Sequence, residues 1–407
     1  MKAGWKLHSL GDICSFENGD RGENYPSKSV QTSSGVPFIN AGHLTDSGID
    51  LESMNYIPRE RYNLLGNGKI RKNDILFCLR GSLGKFASVG ELSEGAIASS
   101  LVIVRPNNSV LNGFIQAYFQ SALCSQMIEK FRNGAAQPNL SAGSLKKFQI
   151  PIPPLPEQQR IVSILDEAFE GIATAVENAE QNLINARELF ESELEAVFAN
   201  REEGWVERRF MDLCEIKHGF AFKSEYFTNE GEFVLLTPGN FYESGGFRDR
   251  GEKQKYYSGE IPEGFILKKG DLLVAMTEQA AGLLGSPILV PASDKFLHNQ
   301  RLGLVVKKPD IPWLNEFFFH IFNTKRVRSE IHHSATGVKV RHTSPTKIGE
   351  VLISFPTSVS DQRAIVSKLD ALSEETQRLE SIYQQKLAAL DELKKSILHQ
   401  AFSGQLK

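Results

Sequence analysis

Apolar and polar positions alternate in two rhythms along the 407 residues. In the first, short apolar runs are bounded by Gly, Asn and Pro, at 36–40, 74–79 and 101–105 and again at 233–237, 271–276 and 302–306. Runs of this length between turn-formers predict β-strands. A helical pattern over 114–131 follows the first set. The second rhythm starts near Glu157 and lasts to Ala199, where Gly171 is the only glycine and there is no proline. Val162, Leu165, Phe169, Ile172, Val176, Ala179, Leu183, Ala186, Phe190 and Val197 recur there at spacings of three and four, the seam of a coiled coil. Pro153, Pro154 and Pro156 precede it, where proline can end an extended approach and open a helix. A second seam runs from Asp361 to Phe402 through Leu369, Leu372, Thr376, Leu379, Tyr383, Leu390, Leu393 and Ile397, interrupted by Lys386.

The two rhythms occur twice because the chain is a tandem repeat. At an offset of 200, Gly4-Trp5 matches Gly204-Trp205, Asp12 matches Asp212, Cys14 matches Cys214 and Gly19 matches Gly219. Further on, Lys72-Asn73-Asp74-Ile75-Leu76 is similar to Lys269-Gly270-Asp271-Leu272-Leu273, and Gly134 matches Gly337. Ile161-Val162-Ser163-Ile164-Leu165-Asp166 then matches Ile365-Val366-Ser367-Lys368-Leu369-Asp370. The expected organisation is α+β: globular domains at 1–155 and 204–358, and long helices at 156–203 and 359–407. A helix of about 43 residues is roughly 65 Å long, and its apolar strip needs a partner. The other helix of the same chain is the nearest one. An antiparallel pair would return the second helix to the first domain, bring the C-terminus near the N-terminus, and set the domains at opposite ends of a rigid spacer about a pseudo-two-fold axis.

Composition excludes collagen-like, low-complexity and disordered classes, with 41% hydrophobic residues and a net charge of -3. Met1 to Asp12 lacks the apolar stretch of a signal peptide, and no window reaches the roughly 18 apolar residues of a membrane span. Cys14, Cys78, Cys124 and Cys214 are isolated, which suits a reduced, cytosolic protein without a structural zinc. The net charge is an average of unlike parts. Residues 1–155 carry 16 basic and 12 acidic side chains, 156–203 carry 3 and 12, 204–358 carry 20 and 18, and 359–407 carry 7 of each. Both globular domains are therefore mildly basic, and the acidity is confined to the first helix, as a solvated face or as a surface that repels DNA and meets protein partners.

The segment Ile150-Pro151-Ile152-Pro153-Pro154-Leu155-Pro156-Glu157-Gln158-Gln159-Arg160-Ile161-Val162 resembles the junction of recognition domain and helix in specificity subunits of type I restriction-modification systems. Gln137-Pro138-Asn139-Leu140-Ser141, and the ending from Ser396 through Ala401-Phe402-Ser403-Gly404-Gln405-Leu406, resemble the same family. The second junction keeps only Pro356, Gln362 and Arg363 of the proline-rich form. The resemblance spans the chain and implies a non-catalytic subunit. Each domain reads one part of a split, asymmetric site on double-stranded DNA, and the helices set the unread spacer. It also implies as partners two modification (methyltransferase) subunits docked on the helices, which methylate adenine, and restriction subunits with translocase and nuclease activity. S-adenosylmethionine, ATP and Mg belong to those partners, and no cofactor to this chain.

The residues agree with a chain that has no chemistry of its own. No GxGxxG follows a strand, there is no Walker A loop, and no Asn/Asp-Pro-Pro-aromatic motif is present. Pro309-Asp310 lacks a nuclease Glu-x-Lys partner, and adjacent His332 and His333 suit a surface loop better than a metal site. Reading bases needs Arg or Lys for guanine and Asn or Gln for adenine, with backbone donors for phosphate. In the first domain Arg80-Gly81-Ser82-Leu83-Gly84-Lys85 follows a strand, as a phosphate-approaching loop or an ordinary hairpin turn; Arg80, Gly81, Ser82 and Lys85 are the candidates there. Asn40, His43, Gln137 and Asn139 are candidates or turn-formers. The second domain offers Lys217, His218, Lys223, Asn240, Glu278, Gln279, Asn299, Gln300 and Arg301, with Lys339, Arg341 and His342 in the place of Gln137-Pro138-Asn139. A scaffold that binds proteins and a fused methyltransferase-nuclease are the competing classes. Only phosphate neutralisation makes duplex binding fall steeply with salt. Binding by the assembled complex, titrated between about 50 and 200 mM salt, is expected to weaken by orders of magnitude; a flat response would favour the scaffold.

Overall fold

The computed structural model describes residues 2, 4–46, 48–134, 138–199, 204–279 and 281–407. The strand Lys6–Ser9 runs into a single helical turn, Leu10–Ile13, and on into Cys14–Asn18; Trp205–Arg209, Phe210–Leu213 and Cys214–His218 repeat the sequence of elements. The repeated residues have local causes. Asp12 Oδ2 accepts the Ser9 N–H (3.0 Å) and Asp212 Oδ2 the Arg209 N–H (3.3 Å), so each closes its turn. Cys14 and Cys214 are buried at the next step, and burial pushes both thiols up to about 12.

An antiparallel four-stranded sheet follows in each copy. Its order is Cys14–Asn18, Leu101–Pro106, Ile75–Cys78, Phe86–Ser88 in the first, and Cys214–His218, Leu302–Lys307, Leu272–Ala275, Pro287–Leu289 in the second. The central strands are apolar at successive positions because both sheet faces are covered. Ile75 and Phe77 join one core with Phe114 and Tyr118, while Leu76 and Cys78 join another with Ile39 and Ile97. Leu272 and Val274 separate from Leu273 and Ala275 in the same way. On one face lie two helices, Asn112–Gln120 and Ala122–Phe131, matched by Asn315–Asn323 and Lys325–Ser334. The helical pattern over 114–131 is thus broken, because Ser121 caps a new helix with its Oγ on the Cys124 N–H (3.4 Å), as Thr324 does for Val327 (3.4 Å). On the other face lies a smaller sheet. It is Asn55–Ile57, Val36–Ile39 and Ala96–Ile97 in the first copy, and Phe227–Thr228, Tyr256–Tyr257, Phe233–Leu235 and Phe296–Leu297 in the second.

Each module ends beside its own start. Gln149–Ile152 pairs antiparallel with Lys6–Ser9, and Leu352–Pro356 with Trp205–Arg209. The returning strands launch the helices Leu155–Ala199 and Val359–Ser403, 45 residues each. The chain divides into two compact units, Met1–Glu180 with Gln384–Lys407, and Gln181–Tyr383, so each unit holds part of both helices. In the first, Arg160 Nη2 donates to the Leu406 carbonyl (2.9 Å) and the Lys394 ammonium lies 5.2 Å from the Phe169 ring centre. In the second, Lys368 Nζ meets Glu193 (2.5 Å) and Arg187 Nε meets Glu380 (2.9 Å). In each unit one helix rises in number as the other falls, the antiparallel arrangement. The second helix does return to the first module: Leu398, Ala401, Phe402 and Leu406 belong to its core, with the Phe402 ring 5.1 Å from that of Phe114. Burying one such ring contributes about 1.5–3 kcal/mol. The seams need two corrections. Leu194, not among the expected positions, is buried. In the second helix Lys386 and Leu393 are exposed, and the stripe passes through half-buried Leu387 and the stem of Lys394.

The join between strand and helix is held by a buried amide. Gln158 is fully buried; its Nε2 donates to the carbonyls of Pro153 (2.9 Å) and Ser109 (3.1 Å), and its Oε1 accepts the Leu111 N–H (2.9 Å). Gln362 is equally buried and donates to Pro356 (3.0 Å) and Pro312 (2.9 Å), while its Oε1 has no partner. The second junction therefore keeps the turn without the proline run, and Ser358 Oγ caps the helix by accepting the Asp361 N–H (3.3 Å). Truncation strands two carbonyls and an N–H at the first junction but two carbonyls at the second, at about 1–3 kcal/mol per stranded group. Gln158→Ala is expected to lower unfolding free energy by about 3–5 kcal/mol and Gln362→Ala by about 1–2 kcal/mol less than that, measured by denaturant titration.

Candidate nucleic-acid interface

In each unit two loops meet at one edge of the main sheet: the one leaving the central strand and the one leaving the helix pair. The Leu140 N–H donates to the Leu79 carbonyl (2.9 Å), and the Thr343 N–H to the Met276 carbonyl (3.0 Å). Arg80 thereby bridges to Asn139, and Thr277–Glu278 pairs with Arg341–His342. Residues far apart in sequence are brought together here. Arg80, Gly81, Ser82 and Lys85 are exposed on the turn between Ile75–Cys78 and Phe86–Ser88, with Gly81 and Gly84 at positive φ and the Gly84 N–H on the Cys78 carbonyl (3.1 Å). The hairpin and the exposed cationic loop are one object. Gln137 lies outside the described residues.

A second meeting point lies at the end of Cys214–His218. A Cβ on Gly219 would sit 2.2 Å from the Asn299 carbonyl, and one on Gly19 2.5 Å from the Ala98 carbonyl, so glycine recurs where two backbones touch. The bridge from Phe220 to Asn299 joins the strand end with exposed Lys217 and His218 to the turn with exposed Gln300 and Arg301, and exposed Lys223 follows in the chain. Lys217 and Lys223 have only distant acidic neighbours, Glu215 at 3.8 Å and Glu225 at 3.9 Å.

Other candidates serve the frame. Asn40 Oδ1 accepts the Gly42 N–H (2.7 Å), and buried His43 accepts the Asn40 N–H at Nδ1 (3.1 Å), its pKa lowered by desolvation. Asn240 is fully buried, accepting from Thr237 N–H (3.0 Å) and donating to Gln254 Oε1 (2.8 Å). Asn299 is buried and accepts the Arg301 N–H (3.0 Å). Glu278 is buried, and its Oε2 gathers the N–H groups of Gly282, Leu283 and Leu284 (2.9–3.1 Å). These bonds tie the side chains to the shape of their own loops. Gln279, Lys339 and His342 are exposed, and Arg341 is half-buried. His332 and His333 sit in the helix Lys325–Ser334 instead of a loop, and they diverge: His332 lies 3.3 Å from Arg341 and His333 Nδ1 2.7 Å from the Ser329 carbonyl.

Within the second unit the module and the first long helix enclose a cleft of about 1260 Å³. Arg248, Arg250, Lys255, Arg301, Lys325 and Arg328 line it. Arg328 donates from Nη2 to the Gly282 carbonyl, while its buried Nε and Nη1 have no partner. Burial lowers it to about 10, still cationic at neutral pH. Glu191 pairs with Lys325 Nζ (3.3 Å) and Glu195 accepts the Lys325 N–H (2.5 Å), so part of the acidic run ties the helix to the module.

The chain matches the family model of the type I restriction modification DNA specificity domain twice, over residues 2–186 and 202–388. The chain belongs to that family. A type I restriction enzyme MjaVIII specificity subunit of Methanocaldococcus jannaschii is 20% identical over 99% of this chain and 93% of its own. The EcoBI specificity subunit of Escherichia coli is 27% identical over 54% of this chain, and the match spans 43% of that protein, less than half of its length. Two solved structures share the fold. One, described as the structural basis underlying complex assembly and conformational transition of the type I R-M system, has a TM-score of 0.79 at 19% identity, covering 100% of this chain and 99% of that one. The other, the HsdS subunit from Thermoanaerobacter tengcongensis, has a TM-score of 0.62 at 19% identity, covering 100% and 98%.

The structure adds residues that no motif marks. Gln158 and Gln362 were visible as part of a junction but not as its locks. Arg248, Arg250 and Lys255 sit in a basic stretch interleaved with aromatics, a signal that was available; Arg328 had none, because its environment is tertiary. Glu278 holds both the 282–284 loop and Arg341 (3.2 Å). Removing one side of a buried ionic cluster costs about 3–5 kcal/mol. Glu278→Ala is expected to destabilise the second unit by that amount, read as an earlier denaturant midpoint, with Glu278→Gln intermediate.

Proposed function

We propose that this chain is the sequence-reading subunit of a type I restriction-modification complex, each unit reading one part of a two-part, asymmetric duplex site. The observation that carries the reading is a duplicated frame with different residues at the same two loops. Arg80 and Asn139 stand in one copy where Gln279, Lys339 and His342 stand in the other. A common frame fixes how each unit meets the duplex, and unlike loops make the two half-sites differ. The mildly basic modules suit a polyanion, and the relatives named above are specificity subunits. The chain supplies recognition. Adenine methylation from S-adenosylmethionine falls to two modification subunits docked on the long helices, and ATP-driven restriction to further subunits. Among the described residues no helix is long and apolar enough to cross a membrane.

Methylated adenines mapped genome-wide, with and without this gene, are expected to differ at one two-part sequence. Exchanging residues 1–155 for those of another family member is expected to change one half of that sequence and leave the other intact; an unchanged sequence sinks the proposal. Arg80→Ala is expected to weaken binding by roughly 5- to 150-fold when it loses a base contact, with discrimination relaxed in the same half alone.

A further inference from the structure

The loop between the helix Lys325–Ser334 and the strand pair at Arg341–His342 is a stiff hairpin with an apolar tip. Its base is closed twice, by the Thr336 N–H on the His342 carbonyl (3.0 Å) and the His342 N–H on the Thr336 carbonyl (2.8 Å). Arg341 braces it from the side, donating to Glu278 Oε1 (3.2 Å) and to the His332 carbonyl (2.5 Å). Gly337 turns the chain at φ +104, where a Cβ would meet the Val340 carbonyl at 2.1 Å, so the turn needs glycine. Beyond that base stand Val338, 98% exposed, and exposed Lys339. The corresponding loop of the first unit is closed by an Asn133–Asn139 bridge with Gly134 at positive φ, and its tip lies outside the described residues.

An exposed valine alone is unremarkable. A valine held outward on a loop closed by one antiparallel bridge, Thr336 with His342, and braced by Arg341 beside the loops that carry the other exposed candidates, is different. The major groove of B-DNA, about 12 Å wide, admits elements as broad as a two-stranded ribbon, and so a narrow loop of this kind. A valine there can neither pair with a phosphate nor donate to a base edge. The apolar group that the groove presents is the C5 methyl of thymine. Resting on the DNA-reading role proposed above, we infer that residues 336–342 form a probe that enters the major groove and that Val338 reads one thymine by its methyl group. Lys339 beside it holds a phosphate and adds affinity without sequence preference.

The test uses the full chain assembled with its modification subunit and a duplex bearing the mapped methylation site. Each thymine in the half-site assigned to the second unit is replaced in turn by deoxyuridine, which removes the methyl and nothing else. One replacement is expected to weaken binding by the wild-type complex about 3- to 10-fold. Val338→Ala is expected to weaken binding to the unmodified site by a similar factor and to be insensitive to that same replacement, a non-additive cycle. Val338→Thr, which keeps one γ-methyl, is expected to restore part of the sensitivity. Because the side chain packs on nothing, these variants fold. If every deoxyuridine acts alike on wild type and Val338→Ala, or if Val338→Ala binds at full strength, the inference is overturned. A wild-type complex that binds no sequence preferentially removes the DNA-reading role itself, a separate outcome.

Discussion

A buried glutamine amide at each strand–helix junction sets the geometry on which the rest of the structure depends. A proline-bounded turn leaves carbonyls that no helix or sheet can satisfy, and an unsatisfied buried carbonyl is costly. Gln158 and Gln362 reach back from the first helical turn to those carbonyls and also to the loop before the helix pair, at Ser109 and Pro312. One side chain thus couples the returning strand, the long helix and the helix layer of the module. Rotation of the helix about its first residue would break three bonds at the first junction. The module's orientation on its helix is fixed by hydrogen bonding with direction, which apolar packing alone does not supply.

Above that constraint the two copies keep the same frame and change what stands on it. The repeated Asp12 and Asp212 close turns, Gly19 and Gly219 allow backbones to touch, and the main four-stranded sheets share strand order and register. The first copy carries a half-buried cluster of Arg105 with buried Asp74 (2.8 Å) and Glu17, whereas the equivalent position of the second sheet is Val306. The second copy invests its buried charge at Glu278, beneath the loops. Charge has moved while the scaffold has not, as expected where loops diverge on a shared core.

Much of the fold was legible because it rests on periodicity. Six strands, two long helices and the repeat follow from spacing alone, and the return of the second helix follows from the need to cover a seam. The misses have physical causes. Ser121 reads as helix interior until its side chain is seen capping Cys124, and the stripe of the second helix shifts because a lysine stem can cover apolar surface as leucine does. At the candidate site the sequence supplied polar residue types but not their partners. Asn40, His43, Asn240, Asn299 and Glu278 have the chemistry to read a base and also bond within their own loops, whereas Arg80 and Lys217 are exposed. Composition cannot separate those cases.

Phe402 and Leu406 complete a core whose other members include Phe114, Tyr118 and Ile161, made well over 200 residues earlier. A ribosome adding about 5–20 residues per second needs tens of seconds to cover that distance. Through that interval the first module has its sheet and helices but a gap where Leu398, Ala401, Phe402 and Leu406 belong. Synthesis order and core order are therefore opposed, and the first module to emerge is among the last to close.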